Sequence, residues 1–331
     1  EYPENGAKGK RMMETTRRNF ILGAAGGTLG GLGAANDESA QARGARENSP
    51  GVVVIPERKV PVLAEADVLV CGGGTAGITA ACSAARHGAK VVLIERWPCV
   101  GGMATAALVN GWHRSDRTKV VINGLVEEAA ERARKRGWIE QVRNFPKAFE
   151  THWFDPEGMK VVYQDMLDES GVETFCYLVT GEPILEAGVI RGVVVETKEG
   201  TRAIRARIVI DATGDGDVAA KAGLPFEYGR AGDGLVQGMT LMFRLSGVVP
   251  AGVRTHPQDA ARVFAEMKRL RDEGKFPPFN EGAARSYLRS PRKPDVSYNM
   301  CPVAGNPLRE AELTRLTALA RKQVHQYVEF W

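Results

Sequence analysis

Residues Gly72-Gly73-Gly74-Thr75-Ala76-Gly77 match the pattern G-x-G-x-x-G, and a carboxylate, Glu95, follows 18 positions after the last of them. These residue types at this spacing suit the binding of a dinucleotide through its pyrophosphate and one ribose. A glycine at 72 permits a tight turn, and the missing side chain at 74 lets a phosphate approach the backbone. Glycine at 77 lets a helix pack closely on the strands. The first amides of that helix and its positive dipole end then face the phosphates. Glu95 stands where a carboxylate can accept hydrogen bonds from ribose hydroxyls. Glycine makes up 38 of 331 residues, so the bare pattern recurs easily by chance. The elements around it carry the inference.

Residues 67–71 form a short apolar run that suits a buried parallel strand. A helix-period segment follows the glycines and ends at Gly88, a C′ cap. Residues 91–94 form a second apolar strand, closed by Glu95. A structural glycine turn in an ordinary α/β unit is the bland alternative to a dinucleotide site. Further on, residues 124–136 read as an amphipathic helix with Gly137 past its end. A second helix starts at Asp155 as N-cap with Pro156 at N1, and its apolar positions Met159, Val162, Tyr163, Met166 and Leu167 share one face. Gly171 stops it. The period then changes to short strands at 173–178, 183–186, 189–196, 201–206 and 208–210, a β-meander turning at Gly188 and at Glu199-Gly200. The meander runs into Asp211-Ala212-Thr213-Gly214-Asp215-Gly216-Asp217.

The composition is that of a globular chain, 44% hydrophobic and 25% charged. A net charge of +4, dispersed along helices, argues against a nucleic-acid partner. The five cysteines show neither C-x-x-C nor a histidine at metal spacing, so no metal site and no disulfide framework is expected. Cys99 beside Gly101-Gly102 lacks a second cysteine at redox spacing and reads as an ordinary thiol. Near the N-terminus, Arg17-Arg18-Asn19-Phe20 precedes a glycine-diluted apolar stretch, and Ala40-Gln41-Ala42 supplies an A-x-A cleavage site. This resembles a twin-arginine export signal with a mature start near Arg43, and implies the export machinery as a partner and a periplasmic or otherwise exported location. Translation is expected to begin at Met12 or Met13. The apolar stretch is too short and too weak for a stable membrane span.

Three signatures in order, the first glycine motif with Glu95, the Gly101-Gly102 pair, and the Asp211–Asp217 segment after a meander, resemble the FAD-dependent oxidoreductase family. That family has the glutathione-reductase-like two-dinucleotide-binding fold. The resemblance runs from about residue 66 to the C-terminus. It implies an α/β fold: an FAD/NAD(P)-binding Rossmann-like three-layer domain with an inserted β-meander, then a second α+β substrate domain. It also implies FAD as cofactor, a small-molecule substrate and an electron acceptor. Carried over by position, Gly72, Gly73, Gly74, Thr75, Ala76 and Gly77 are expected to cradle the pyrophosphate and Glu95 to hold the ribose. Arg96 is expected beside the adenine, and Gly101, Gly102 and Met103 along the pyrophosphate and ribityl chain. Val179 and Thr180 are expected to line the adenine through their backbone, and Ala212, Thr213, Gly214 and Asp215 to close the site.

The expected partition is a leader over residues 1–42, an extended lead-in over 43–64 and the cofactor domain over 65–220, with a helical insert at 111–170 and the meander at 182–206. An incomplete substrate domain at 221–331 ends in a helix from 309 to 330. Because the family's chain normally returns to the first domain, and this one stops at Trp331, C-terminal truncation is expected. Catalytic candidates are few. His113 is placed to transfer protons or anchor a flavin covalently, or is an ordinary loop histidine. Gln237 and Arg244 flank an apolar strand, where an arginine would suit a carboxylate substrate or simply face solvent. A nicotinamide-dependent dehydrogenase and a flavin- or nucleotide-binding protein without turnover are the alternative functions.

Overall fold

A computed structural model of the chain describes residues 57–113, 120–144, 149–248, 257–279, 290–292 and 294–330. The expected export signal, most of the expected lead-in and Trp331 lie outside the described residues, and so does the side chain of His113. Seven elements build the frame of the first domain: strand β1 (Val62–Cys71), helix α1 (Thr75–Arg86), β2 (Val91–Glu95), the small strand β3 (Gly111–His113), helix α2 (Leu125–Lys135) and strands β4 (Ile139–Asn144) and β5 (Phe149–Phe154). Helix α3 (Pro156–Glu169), β6 (Glu173–Cys176), β7 (Val179–Glu186), β8 (Val189–Thr197), β9 (Gly200–Asp211) and the short helix α4 (Asp217–Lys221) complete it.

The main sheet has the order β6-β2-β1-β9-β8-β7. β6, β2, β1 and β9 run parallel, with Val70 opposite both Leu93 and Ile210, while β9, β8 and β7 form the antiparallel meander. One face carries Val68, Val70, Val91 and Leu93 against Ile78 and Ala81 of α1 and Met159, Val162 and Met166 of α3. The other face packs Leu69, Cys71, Val92 and Ile94 with Val193, Val195 and Ile204 of the meander and Val218 of α4. A strand buried on both faces must be apolar, and β2 is fully buried along its length, with Glu95 at its end the one polar residue.

β1 begins at Val62, five residues before the apolar run that marked it in sequence. Its first half pairs with β9 from Ala203 to Ala206 and is only half-buried, so it carries no continuous apolar signature. Residues 201–206 and 208–210 are likewise one strand rather than two. The segment 111–170 is not purely helical: β3, β5 and β4 form a three-stranded antiparallel sheet beside α2 and α3. Its strands mix polar and aromatic residues and show no clean alternation. The cap of α3 is as expected, with the Asp155 carboxylate accepting from the Glu157 amide.

A second, smaller assembly follows. Strands β10 (Met239–Leu245) and β11 (Val296–Val303) pair antiparallel, accompanied by helices α5 (Pro257–Asp272) and α6 (Glu310–Phe330). Phe243, Met267, Phe276, Tyr298, Met300, Leu316 and Tyr327 form its core. The buried stripe of α6 is Leu316, Ala320, Gln323 and Tyr327, whereas Leu313 and Val328 stay exposed.

All five cysteines are free, with Cys71, Cys82 and Cys301 buried. Burial, helped by the charge of Asp211, pushes the Cys71 thiol up to about 12, and burial does the same to Cys301. Burial also raises Cys176. Among the described residues no helix is long and apolar enough to cross a membrane.

On the helical side, Arg86 of α1 donates to both oxygens of Glu128 of α2, at 2.7 and 2.9 Å, and Arg132 joins Glu128 to Glu169 of α3. The Arg86 hydrogen bonds, followed by those of Arg132, hold the Glu128 carboxyl below the usual carboxylate range. A carboxyl depressed on folding stabilises above its unfolded pKa and loses that contribution as the pH falls through its folded one. Glu128→Gln should therefore cost about 0.5–1 kcal/mol near neutrality, the range of half-exposed pairs. Urea unfolding should show the difference from wild type closing as the pH drops below the carboxylate range.

Candidate dinucleotide site

β1 ends at Cys71 and the chain turns at Gly72, where φ is +105° and a Cβ would lie 2.2 Å from the Ala212 carbonyl oxygen. At Gly77 a Cβ would lie 1.9 Å from the carbonyl oxygen of Gly72, so α1 approaches the turn as closely as backbone can. Gly74 is different. A Cβ there would meet nothing within 4 Å. Open space lies over Gly74, and α1 behind it begins with no side-chain cap and no acid in its first turn. Its leading amides, at exposed Thr75 and Ala76 and at Gly77, are therefore suited to an incoming anion.

The carboxylate of Glu95 is 5% exposed and fixed at both oxygens. Oε2 accepts from the Gly73 amide at 2.8 Å and Oε1 from the Trp97 amide at 2.9 Å. Each oxygen keeps a further lone pair. A rigid, half-used carboxylate of this kind could receive two neighbouring hydroxyl groups.

The second glycine pair is bolted to the first. The Gly101 amide donates to the Gly73 carbonyl at 2.7 Å, and Gly74 and Gly101 form an isolated parallel bridge. Gly101 has φ of +109°, and a Cβ there would strike the side chain of Thr105 at 2.3 Å. Thr105 is itself buried and donates to the Val100 carbonyl at 2.8 Å. A Cβ on Gly102 would stand 3.0 Å from Cα of Gly74, so the pair lies directly against the phosphate loop. Met103, in the single 3-10 turn that follows, is 66% exposed.

From the other side the Ala212 amide donates to the Cys71 carbonyl at 2.8 Å. Asp211 accepts from both the amide and the hydroxyl of Thr213, at 3.1 and 2.7 Å, and from the Ala219 amide at 2.9 Å. The Thr213 hydroxyl in turn accepts from the Asp217 amide. Asp211 and Thr213 thus shape the elbow into α4, and Gly214 and Asp215 are left exposed on it. Val179 and Thr180 enter through their neighbour Leu178, whose amide donates to the Glu95 carbonyl at 3.0 Å. Arg96 is exposed, with its guanidinium 5.6 Å from the centroid of the Trp97 ring.

The residues expected to hold the dinucleotide therefore converge on the carboxyl ends of β1, β2 and β9, where open α/β sheets bind ligands. The three catalytic candidates lie on or beside other elements. His113 ends β3, and Gln237 is exposed just before β10. Arg244, in β10, is not a free guanidinium: it lies 3.7 Å from Asp155 and 3.7 Å from Asp295, both buried carboxylates. Arg292 reaches Asp155 as well, at 2.6 Å. This cluster ties the N-terminus of α3 to the second sheet and meets the charge of Arg244 within the protein. Sequence reasoning missed the aromatics Trp97 and Tyr177 beside Glu95. Adjacency to Arg96 was the available signal for Trp97, and none existed for Tyr177.

The glycines separate fold from binding. Gly77→Ala should destabilise by about 1–3 kcal/mol, as overpacking does, because the new methyl meets backbone. Gly74→Ala should leave stability within about 0.5 kcal/mol yet weaken dinucleotide binding at least about tenfold. Thermal melts and ligand titration of the two variants test this pair of outcomes.

Comparison with known proteins identifies the family. The model of a family described as FAD dependent oxidoreductase matches residues 67–331. Among solved structures, the chain is similar to THI4 of Thermovibrio ammonificans, with 22% identity and a TM-score of 0.38, over 49% of this chain and 64% of that one. It is similar to a geranylgeranyl bacteriochlorophyll reductase-like protein of Thermoplasma acidophilum, with 23% identity and a TM-score of 0.39, over 49% of this chain and 42% of that one. It is also similar to L-proline dehydrogenase of P. horikoshii, with 16% identity and a TM-score of 0.35, over 51% and 58%. The chain thus spans less than two thirds of each of these structures, and the assignment rests on the family match. Space over Gly74 for a pyrophosphate and a half-used carboxylate for a ribose suit the ADP half of such a cofactor. The chain belongs to the FAD-dependent oxidoreductase family, and its cofactor is FAD.

Proposed function

We propose that this chain carries the cofactor-binding part of an exported oxidoreductase that moves a hydride between a small organic substrate and FAD. The observation behind this reading is the Glu95 carboxylate, held between the amides of Gly73 and Trp97 at the rim of an open glycine turn. When bound, FAD supplies the hydride chemistry, and the protein supplies position and electrostatics. The uncapped amides of α1 hold the pyrophosphate over Gly74. Glu95 takes the adenosine ribose. Gly101-Gly102-Met103 and the exposed Gly214-Asp215 turn confine the cofactor from either side. The ion cluster of Asp155, Arg244, Arg292 and Asp295 keeps the second sheet seated on α3.

Export is proposed on Arg17-Arg18, the apolar stretch after Phe20 and the Ala40-Gln41-Ala42 site, which favour passage through the twin-arginine route as a folded protein. Two experiments test the proposal. The purified full-length protein, reconstituted with FAD, should lose its yellow absorbance under anaerobic titration with its organic donor and pass electrons to an acceptor dye. A flavin band that no donor bleaches would leave a binding protein without turnover. Cell fractionation should find a mature form starting at Arg43 outside the cytoplasm, and replacing Arg17 and Arg18 by lysine should retain the precursor inside.

A further inference from the structure

Two aromatic rings stand in solvent at the end of β2. Trp97 is 49% exposed and Tyr177 is 63% exposed. Both are tied to Glu95 through the backbone. The Trp97 amide donates to the Glu95 carboxylate at 2.9 Å. Cys176, just before Tyr177, is the register partner of Glu95, and Leu178, just after it, donates to the Glu95 carbonyl at 3.0 Å. The two segments also meet each other, with the Tyr177 amide donating to the Trp97 carbonyl at 3.4 Å. The rings thus belong to two backbone segments that both hydrogen-bond to Glu95.

Tyr177 also has a φ of +65°, one of three positive values at non-glycine residues among the described residues. Ala187 has the same property for an evident reason, since it shares a tight hairpin turn with Gly188. Tyr177 occupies no such turn. It joins β6 to β7, and the left-handed step lets Leu178 tuck in at 7% exposure while the tyrosine ring stays outside. A left-handed backbone and a large exposed ring in one residue, beside the Glu95 carboxylate, are not accounted for by packing. Arg96, with its guanidinium 5.6 Å from the Trp97 ring centroid, engages that ring by a cation–π contact.

We propose that Trp97 and Tyr177 form an adenine clamp, supplying the aromatic faces on which the base of the cofactor stacks. The sheet order places them correctly. The pyrophosphate lies at β1, the ribose at β2, and the next strand outward is β6, which leads into Tyr177. The clamp rests on the FAD site and is independent of any turnover. Stacking on one aromatic side chain changes base affinity by about tenfold or more.

The test is titration of the full-length apoprotein with ADP, which carries the adenine and pyrophosphate, and with FMN, which carries no adenine. Trp97→Ala and Tyr177→Gly should each weaken ADP binding about tenfold, while Trp97→Phe and Tyr177→Phe bind as wild type and FMN binding is the same in all. Tyr177→Gly relieves the backbone strain, so its melting temperature should equal or exceed that of wild type even as ADP affinity falls. Unchanged ADP affinity in Trp97→Ala and Tyr177→Gly overturns the clamp, and so does a parallel loss of FMN. If those two variants fail to fold, tryptophan fluorescence decides. ADP should quench wild type and leave Trp97→Phe unquenched, and equal quenching of both overturns the proposal.

Discussion

Glu95 locks together three pieces of chain at the end of the parallel strands, two through its carboxylate and one through its backbone. Its two oxygens hold the amides of Gly73, in the turn after β1, and Trp97, in the loop after β2, while its own backbone holds Leu178 at the start of β7. A buried carboxylate is tolerable only when donors surround it, and here both donors are backbone amides that cannot swing away. The cost of burying the charge thereby becomes rigidity at the junction of the two turns. The Gly101 amide on the Gly73 carbonyl extends the same lattice to the second glycine pair.

Close backbone approach is the second constraint. Gly72 against Ala212 and Gly77 against Gly72 leave no room for a methyl group, so β1, α1 and β9 meet at a knot of bare backbone. The apolar strands on either side of that knot supply cohesion without direction. The glycines and the Glu95 carboxylate supply direction. Farther out, the second sheet is joined to α3 through Asp155, which caps the helix and receives two arginines at once. One aspartate therefore serves a helix terminus and a junction between sheets.

The parallel frame was readable in sequence because strands buried on two faces must be continuously apolar, and helices must repeat their apolar positions. Gly88, Gly137, Gly171 and Gly188 stand at positive φ where helix ends and a hairpin were expected. The small sheet of β3, β4 and β5 was not readable, since Thr151, His152 and Trp153 give no alternation and β3 pairs with β5 from about 40 positions away. Arg244 could be placed near an apolar strand, but its two acidic partners lie 89 positions before it, at Asp155, and 51 after, at Asp295. No local pattern announces such a pairing. The left-handed backbone of Tyr177 was equally hidden, because nothing about a tyrosine favours it.

The thiols described with the core have a chemical corollary. Reaction with an electrophile or an oxidant proceeds through thiolate, and burial holds Cys71 and Cys301 at about 12, so neither ionises at any ordinary working pH. Cys82 is buried and raised as well. Only Cys99, in the loop after Glu95, and Cys176, in the strand beside it, are partly exposed, and burial raises Cys176 too. A maleimide or a mild oxidant would therefore report first on Cys99, in the loop after Glu95.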